Sequence, residues 1–240
     1  MARSRLAWCA LVLAMAGCRE PAGPADAMAP AVQTPTAAAP ATAAPVTGPE
    51  RRILAFGNSL FAGYNLQPGE SYPERLQEAL RRRGLNVRVI GAGVSGDTTA
   101  AGRARLGFVL DAQERRPDLF ILELGGNDLL RGLPPEQTRA NLSAMLSELR
   151  RRGIPVLLMG MRAPPNLGAD YVAQFDAIYA DLAREHGAAL VPFFLESIYD
   201  QPQLIQPDRI HPTAQGIDAL VAATVDDVAA ALPPTPAEAR

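Results

Sequence analysis

From Arg51 onward, short and nearly unbroken apolar runs alternate with longer stretches in which apolar residues recur every three or four positions. The runs at Ile53–Phe56, Val87–Ile90, Leu119–Leu124, Val156–Met161 and Ala189–Val191 read as strands. Between and after them, Tyr72–Arg83, Thr98–Leu110, Glu136–Arg152, Tyr171–His186 and Thr213–Ala231 carry the helical period. Pro73 near the start of the first helix and Gly84 just past its end fit the asymmetry of helix termini. Strands that alternate with helices predict a parallel sheet covered on both faces, here a three-layer α/β/α sandwich with a five-stranded parallel sheet. No internal repeat interrupts the pattern.

The first fifty residues follow another rule. Arg3 and Arg5 precede an apolar run, Leu6–Ala16, that is too short to span a bilayer and ends in small residues, so residues 1–17 read as a secretory signal. The run closes on Met15-Ala16-Gly17-Cys18, which resembles a bacterial lipobox, and the resemblance implies cleavage before Cys18 and a diacylglycerol on its thiol. Arg19 stands where an inner-membrane retention signal has Asp, which favours the outer membrane facing the periplasm. From there to Glu50 the chain is mostly Ala, Pro and Thr, with seven prolines and no aromatic residue, the profile of an extended linker. The expected organisation is a signal over 1–17, a lipidated Cys and linker over 18–50, a folded domain over 51–232 and a Pro-rich tail over 233–240.

Composition narrows the chemistry. The 240 residues are 48% hydrophobic, enough for one sizeable core, and 23 basic against 25 acidic residues leave no surplus for nucleic acid. Every basic residue is Arg, which removes Schiff-base chemistry, Ser-Lys dyads and phosphate-cradling lysine loops. Both cysteines, Cys9 and Cys18, precede the domain, so a cysteine nucleophile is excluded. Two histidines, His186 and His211, are too few for a His-rich metal site, so no metal and no cofactor are expected.

In open parallel sheets ligands bind beyond the carboxyl ends of the strands. Four unusual clusters fall at or after those ends: Gly57-Asn58-Ser59-Leu60, Gly93-Val94-Ser95-Gly96-Asp97, Gly125-Gly126-Asn127-Asp128 and Asp208-Arg209-Ile210-His211. Alone, Ser59 could cap a helix, Asn127 could serve a turn, and Asp208 with His211 could form a structural bond. Together they supply a nucleophile, an imidazole base, an orienting carboxylate and oxyanion donors. His186 ends an amphipathic helix and complements its dipole, which leaves His211 as the base. Pro212 after it is expected to stop backbone pairing and hold a rigid loop that presents the ring.

These blocks resemble those of the SGNH hydrolases, or GDSL-type esterases. Ala55-Phe56-Gly57-Asn58-Ser59-Leu60 with Ala62-Gly63-Tyr64 is similar to their first block, Ser95-Gly96-Asp97-Thr98 to the second, Glu123-Leu124-Gly125-Gly126-Asn127-Asp128 to the third and Asp208-Arg209-Ile210-His211-Pro212 to the fifth. Leu130-Arg131-Gly132 and Pro192-Phe193-Phe194 look like the bacterial periplasmic thioesterase, arylesterase and lysophospholipase subgroup. The resemblance implies a flavodoxin-like fold and a Ser59, His211, Asp208 triad, with an oxyanion hole from the N–H groups of Ser59 and Gly96 and the Asn127 amide. Asn58 stands where the family usually has Asp, and we read it as a support of the turn. An α/β-hydrolase is set aside because no Gly-x-Ser-x-Gly elbow occurs.

The substrate expected is a small acyl ester, thioester or lysophospholipid, bound by Leu129, Leu130, Leu133, Ala163 and Pro164. The resemblance marks Leu129–Pro134 as a mobile loop over the site and Met161–Asp170 as pocket wall. Two other readings remain: a carbohydrate or peptidoglycan O-acetylesterase of the same fold, and a non-catalytic outer-membrane lipoprotein that binds or scaffolds. A monomer is favoured.

Overall fold

The computed structural model describes residues 46–234. The signal with Cys9, Cys18 with its proposed lipid, linker residues 19–45 and tail residues 235–240 lie outside the described residues.

Five parallel strands form one sheet in the order β2-β1-β3-β4-β5: β1 Thr47–Gly57, β2 Leu85–Gly93, β3 Leu119–Glu123, β4 Val156–Met159 and β5 Ala189–Val191. The central strands are buried on both sides, with Ile53–Phe56 and Leu119–Leu122 fully inaccessible, which is why their sequences read as continuous apolar runs. The longer helices are α2 Tyr72–Arg82, α3 Thr99–Asp111, α5 Pro135–Arg151, α6 Ala169–His186 and α7 Ala214–Ala231. Helix α2 packs on α7, and α5 packs on both α3 and α6, as right-handed crossovers from this strand order require for the two faces. The expected three-layer sandwich is thus the fold observed.

Helix α2 opens as its sequence predicts. Ser71 caps it, Glu74 reaches back to the Ser71 N–H, and Pro73 sits in the first turn. Its Tyr72 hydroxyl lies 2.7 Å from Thr224 Oγ1 of α7, a polar pair inside an otherwise apolar layer.

Two short helices escape the sequence pattern, α1 Ser59–Ala62 and α4 Gly126–Leu130, and both start at carboxyl ends of strands. They are too short to show a period. Strand β1 also extends beyond the expected apolar run Ile53–Phe56, starting at Thr47. Residues 47–50 are exposed and bonded through their own main-chain groups, the Thr47 N–H donating to the Gly84 carbonyl at 3.3 Å and the Gly48 carbonyl accepting from Asn86 Nδ2 at 2.9 Å, so no side-chain pattern betrays them. Behind the sheet end, Gly57 of β1 pairs with Gly93 of β2. A Cβ on Gly93 would lie 2.4 Å from the Ala62 nitrogen, and one on Gly57 would lie 2.6 Å from Glu123 Oε2. Both glycines keep the space in which α1 and the buried Glu123 side chain sit.

Candidate active site

The turn that carries Ser59 follows β1 directly. Asn58, not Ser59, is the helix cap: its Oδ1 accepts from the Leu60 N–H at 3.0 Å, which corrects the capping role considered for Ser59. Ser59 is thereby freed for other partners. As the first residue of α1 its own N–H has no acceptor within the helix. The side chain is 8% exposed, at the wall of a cavity.

His211 reaches Ser59 from the far end of the chain, with Nε2 2.8 Å from Oγ. Its Nδ1 lies 2.7 Å from Asp208 Oδ2. The other oxygen, Oδ1, accepts from the N–H groups of Ile210 and His211, each at 3.0 Å, so the carboxylate folds back over its own loop. Arg209 sits inside that loop with φ +61°, an uncommon conformation for a residue with a side chain. Burial works to raise the Asp208 pKa, but the bonds from the His211 ring, the His211 N–H and the Ile210 N–H outweigh it and hold the carboxyl at about 2. Asp208 is therefore ionised at neutral pH, Nδ1 must donate to it, and in the neutral ring Nε2 is left to accept the serine proton.

Pro212 does not end backbone pairing. It forms an isolated antiparallel bridge with Ile205, the His211 carbonyl accepts from the Gln206 N–H at 2.7 Å, and the Thr213 N–H donates to the Leu204 carbonyl at 2.8 Å. Proline lacks only its own N–H, and this bridge uses the donors on either side. The Tyr64 ring packs on the imidazole at 4.3 Å between centroids, a second constraint on its plane. His186 lies elsewhere, at the end of α6, with Nε2 3.1 Å from Ser143 Oγ of α5.

Opposite the imidazole are the second and third blocks. Asn127 of α4 donates from Nδ2 to the Asp97 carbonyl at 2.9 Å, which joins it to the Gly96 loop and leaves its second amide hydrogen available. Gly96 has φ +86° and its carbonyl accepts from Arg131 Nη2 at 2.8 Å. Arg105 braces this loop to the serine strand: Nε bonds Asp97 Oδ2 at 2.6 Å and Nη2 the Gly57 carbonyl at 3.0 Å. Asp128, buried beside Asn127, accepts from the N–H and hydroxyl of Thr99 and from Thr138, so α3, α4 and α5 are fixed together.

The cavity of about 290 Å³ beside Ser59 is walled mainly by apolar groups. Leu129, Leu130 and Pro164 line it as expected, with Met161 and Arg162 from the same segment as Pro164. Leu133 and Ala163 do not. Leu133 is drawn toward α6, where its carbonyl accepts from Tyr171, and Ala163 is buried with its N–H on Asp176 Oδ1 at 2.7 Å. About a third of the wall was missed: Phe193, Leu195, Ile198, Tyr199, Ile205 and Ile210, all from the long segment after β5. Their signal was a cluster of apolar residues in a stretch with no helical period, directly after a strand end. Glu123 was missed as well. It is fully buried and accepts from the Asn58 N–H at 3.1 Å and from Asn58 Nδ2 at 2.9 Å.

Among the described residues no group of three or more His, Cys, Asp or Glu side chains is placed to hold a metal ion. No described helix is long and apolar enough to cross a membrane.

The chain is similar to known proteins. The model of the GDSL-like lipase/acylhydrolase family matches residues 55–219. An arylesterase from Vibrio mimicus is 43% identical over 161 residues, 67% of this chain and 80% of that protein. The esterase TesA of Pseudomonas aeruginosa is 41% identical over 160 residues, 67% of this chain and 79% of its own. The crystal structure of AlinE4, described as an SGNH-hydrolase family esterase, is similar with a TM-score of 0.66 and 63% identity over 78% of this chain and all of that one. The serine, imidazole and carboxylate assembled from opposite ends of the sequence thus sit in a family frame that spans most of the domain, and the chain belongs to the GDSL-like lipase/acylhydrolase family.

Proposed function

We propose that this chain is a serine esterase that cleaves acyl or aryl esters, acyl thioesters or lysophospholipids through Ser59, His211 and Asp208. The observation that carries the reading is the continuous relay from Ser59 Oγ through both ring nitrogens of His211 to an ionised Asp208, opening on an apolar cavity. Ser59 Oγ attacks the acyl carbonyl while its proton passes to His211 Nε2. Asp208 stabilises the imidazolium and stays ionised. The oxyanion takes hydrogen bonds from the N–H groups of Ser59 and Gly96 and from the free amide hydrogen of Asn127. The bond to the leaving oxygen or sulfur then breaks as His211 returns the proton to it. Water repeats the sequence on the acyl-enzyme and releases the acid.

Asn127→Ala removes one of those donors and should lower kcat by about 10²–10³. Hydrolysis kinetics of the folded variant check this, and unchanged kcat would remove Asn127 from the oxyanion hole.

The cavity wall also separates the ester classes. Leu130 and Tyr199 are 60% and 57% exposed, and the buried Met161, Phe193 and Ile198 continue the apolar surface inward, which suits an acyl chain better than a sugar-bound acetyl group. The expected result with p-nitrophenyl esters from acetate to palmitate is a kcat/KM optimum at medium or longer chains, rising with each added methylene until the wall ends. An optimum at acetate favours the O-acetylesterase reading. A scaffolding lipoprotein would need no aligned Ser59, His211 and Asp208. Lipidation at Cys18, with the Ala/Pro segment as tether on the periplasmic side of the outer membrane, completes the reading and rests on the lipobox-like sequence alone. Metabolic labelling with a radioactive fatty acid, lost in Cys18→Ser, tests that part.

A further inference from the structure

Glu123 is the last residue of β3 and the one carboxyl side chain among the described residues that is wholly buried against the serine turn without a cationic partner. Its two oxygens take the two donors of Asn58, the main-chain N–H on Oε2 and the side-chain amide on Oε1. That leaves Asn58 Oδ1 facing forward, 3.0 Å from the Leu60 nitrogen and 3.4 Å from Ser59 Oγ. Turned end for end, the carboxamide would set its oxygen against the Glu123 carboxyl and its NH₂ against the Leu60 N–H. The flipped NH₂ would leave the Leu60 N–H without its acceptor, and the flipped oxygen would repel the Glu123 carboxyl whenever that group is ionised, so the turn selects one orientation.

We propose that Glu123 is a positioning residue for the nucleophile, acting through Asn58. The proposal rests on Ser59 being the nucleophile. Pinned in this way, the first turn of α1 presents Oγ to His211 Nε2 at 2.8 Å, while the neutral Asn58 oxygen at 3.4 Å competes weakly for the same proton. An acid at position 58 would instead bring two carboxyl groups to hydrogen-bond distance, where they share one proton. The carboxyl of Glu123 is itself pushed up to about 8 by burial, against the two bonds from Asn58. Around the pair stand Arg105, on the Gly57 carbonyl, and Tyr179, whose hydroxyl donates to the Leu124 carbonyl, with Asp128 and Asp176 beyond it.

The polarity of the pair can be exchanged. Glu123→Gln alone offers one acceptor to two donors, and Asn58→Asp alone sets acid against acid. Combined, the new amide oxygen accepts the main-chain N–H and the new NH₂ donates to the new carboxylate, restoring every bond. The experiment measures kcat, KM and the pH profile of p-nitrophenyl butyrate hydrolysis by the full chain for Glu123→Gln, Asn58→Asp and the double variant, with Ser59→Ala alongside. Glu123→Gln should lose roughly tenfold in kcat with KM little changed, as one buried hydrogen bond is left unmade. The double variant should recover most of that loss, and Asn58→Asp should show an ionisation in its kcat profile that the double variant lacks. Glu123→Gln with wild-type kcat and pH profile overturns the proposal, as does a folded double variant no more active than Glu123→Gln. If Glu123→Gln does not fold, a double variant that regains both folding and kcat supports the pairing, and one that regains neither overturns it. Activity surviving in Ser59→Ala would instead overturn the assignment of the nucleophile.

Discussion

Ser59→Ala should abolish ester hydrolysis by this chain, with a loss of about 10⁶ in kcat, the scale seen when the nucleophile of a serine hydrolase is removed. The hydroxyl lost is small and one of its two contacts is the catalytic one to His211, so the variant should fold as the wild type does. What remains is the background that oxyanion donors and binding alone supply, about 10³–10⁴ over water. Two measurements check this: turnover of a p-nitrophenyl ester, and the mass gained on reaction with a fluorophosphonate, which should appear on wild type and be missing from the variant. Turnover near the wild-type level, or labelling that persists, would place the nucleophile elsewhere.

Asp208→Asn comes next in size. The amide preserves the shape of the side chain and can still accept from the Ile210 and His211 N–H groups, but it carries no charge to fix Nδ1 as the donor or to stabilise the imidazolium. A drop of about 10⁴ in kcat follows, with KM little affected, because the wrong tautomer then faces Ser59. Steady-state kinetics test it, and a loss confined to KM would show that Asp208 shapes the binding surface instead. The same carboxylate bears on acid stability. Its folded pKa of about 2 lies below the ordinary 3.8, so its contribution is present in full above 3.8 and fades as pH falls through about 2. Unfolding midpoints of wild type and Asp208→Asn should therefore converge at the acid end.

Much of the architecture was legible in the chain because parallel strands buried on two faces must be apolar throughout, as Ile53–Phe56 and Leu119–Leu122 are. Ser59, Asn127, Asp208 and His211 were legible for a different reason. Each sits at a carboxyl strand end or in a loop, where a chemically capable residue has no packing role to explain it. Glu123 hid because a single acid closing an apolar run looks like the solvated end of a strand, and its partner Asn58 is 65 residues away. Leu133 and Ala163 lie off the cavity wall in irregular turns, where no period says which way a side chain faces. The rear of the cavity, Leu195 to Ile210, is fixed by turns and an isolated bridge, and these depend on contacts no local pattern records. Residues 47–50 show the same limit, since bonds made through their own main-chain N–H and carbonyl groups leave no mark on composition.

The nucleophile follows the first strand of the domain while its base lies 152 residues on, just before the last helix. Loop closure across that span is entropically costly until α7 has docked on α2, so the relay is among the last contacts to form as the chain folds. Newly made chains therefore carry a serine without a base, and hydrolytic competence arrives only with the complete domain. The same geometry makes the activity a report on the integrity of the C-terminal segment: a nick between Val191 and Asp208 that lets the loop drift would silence Ser59 while leaving most of the sheet intact.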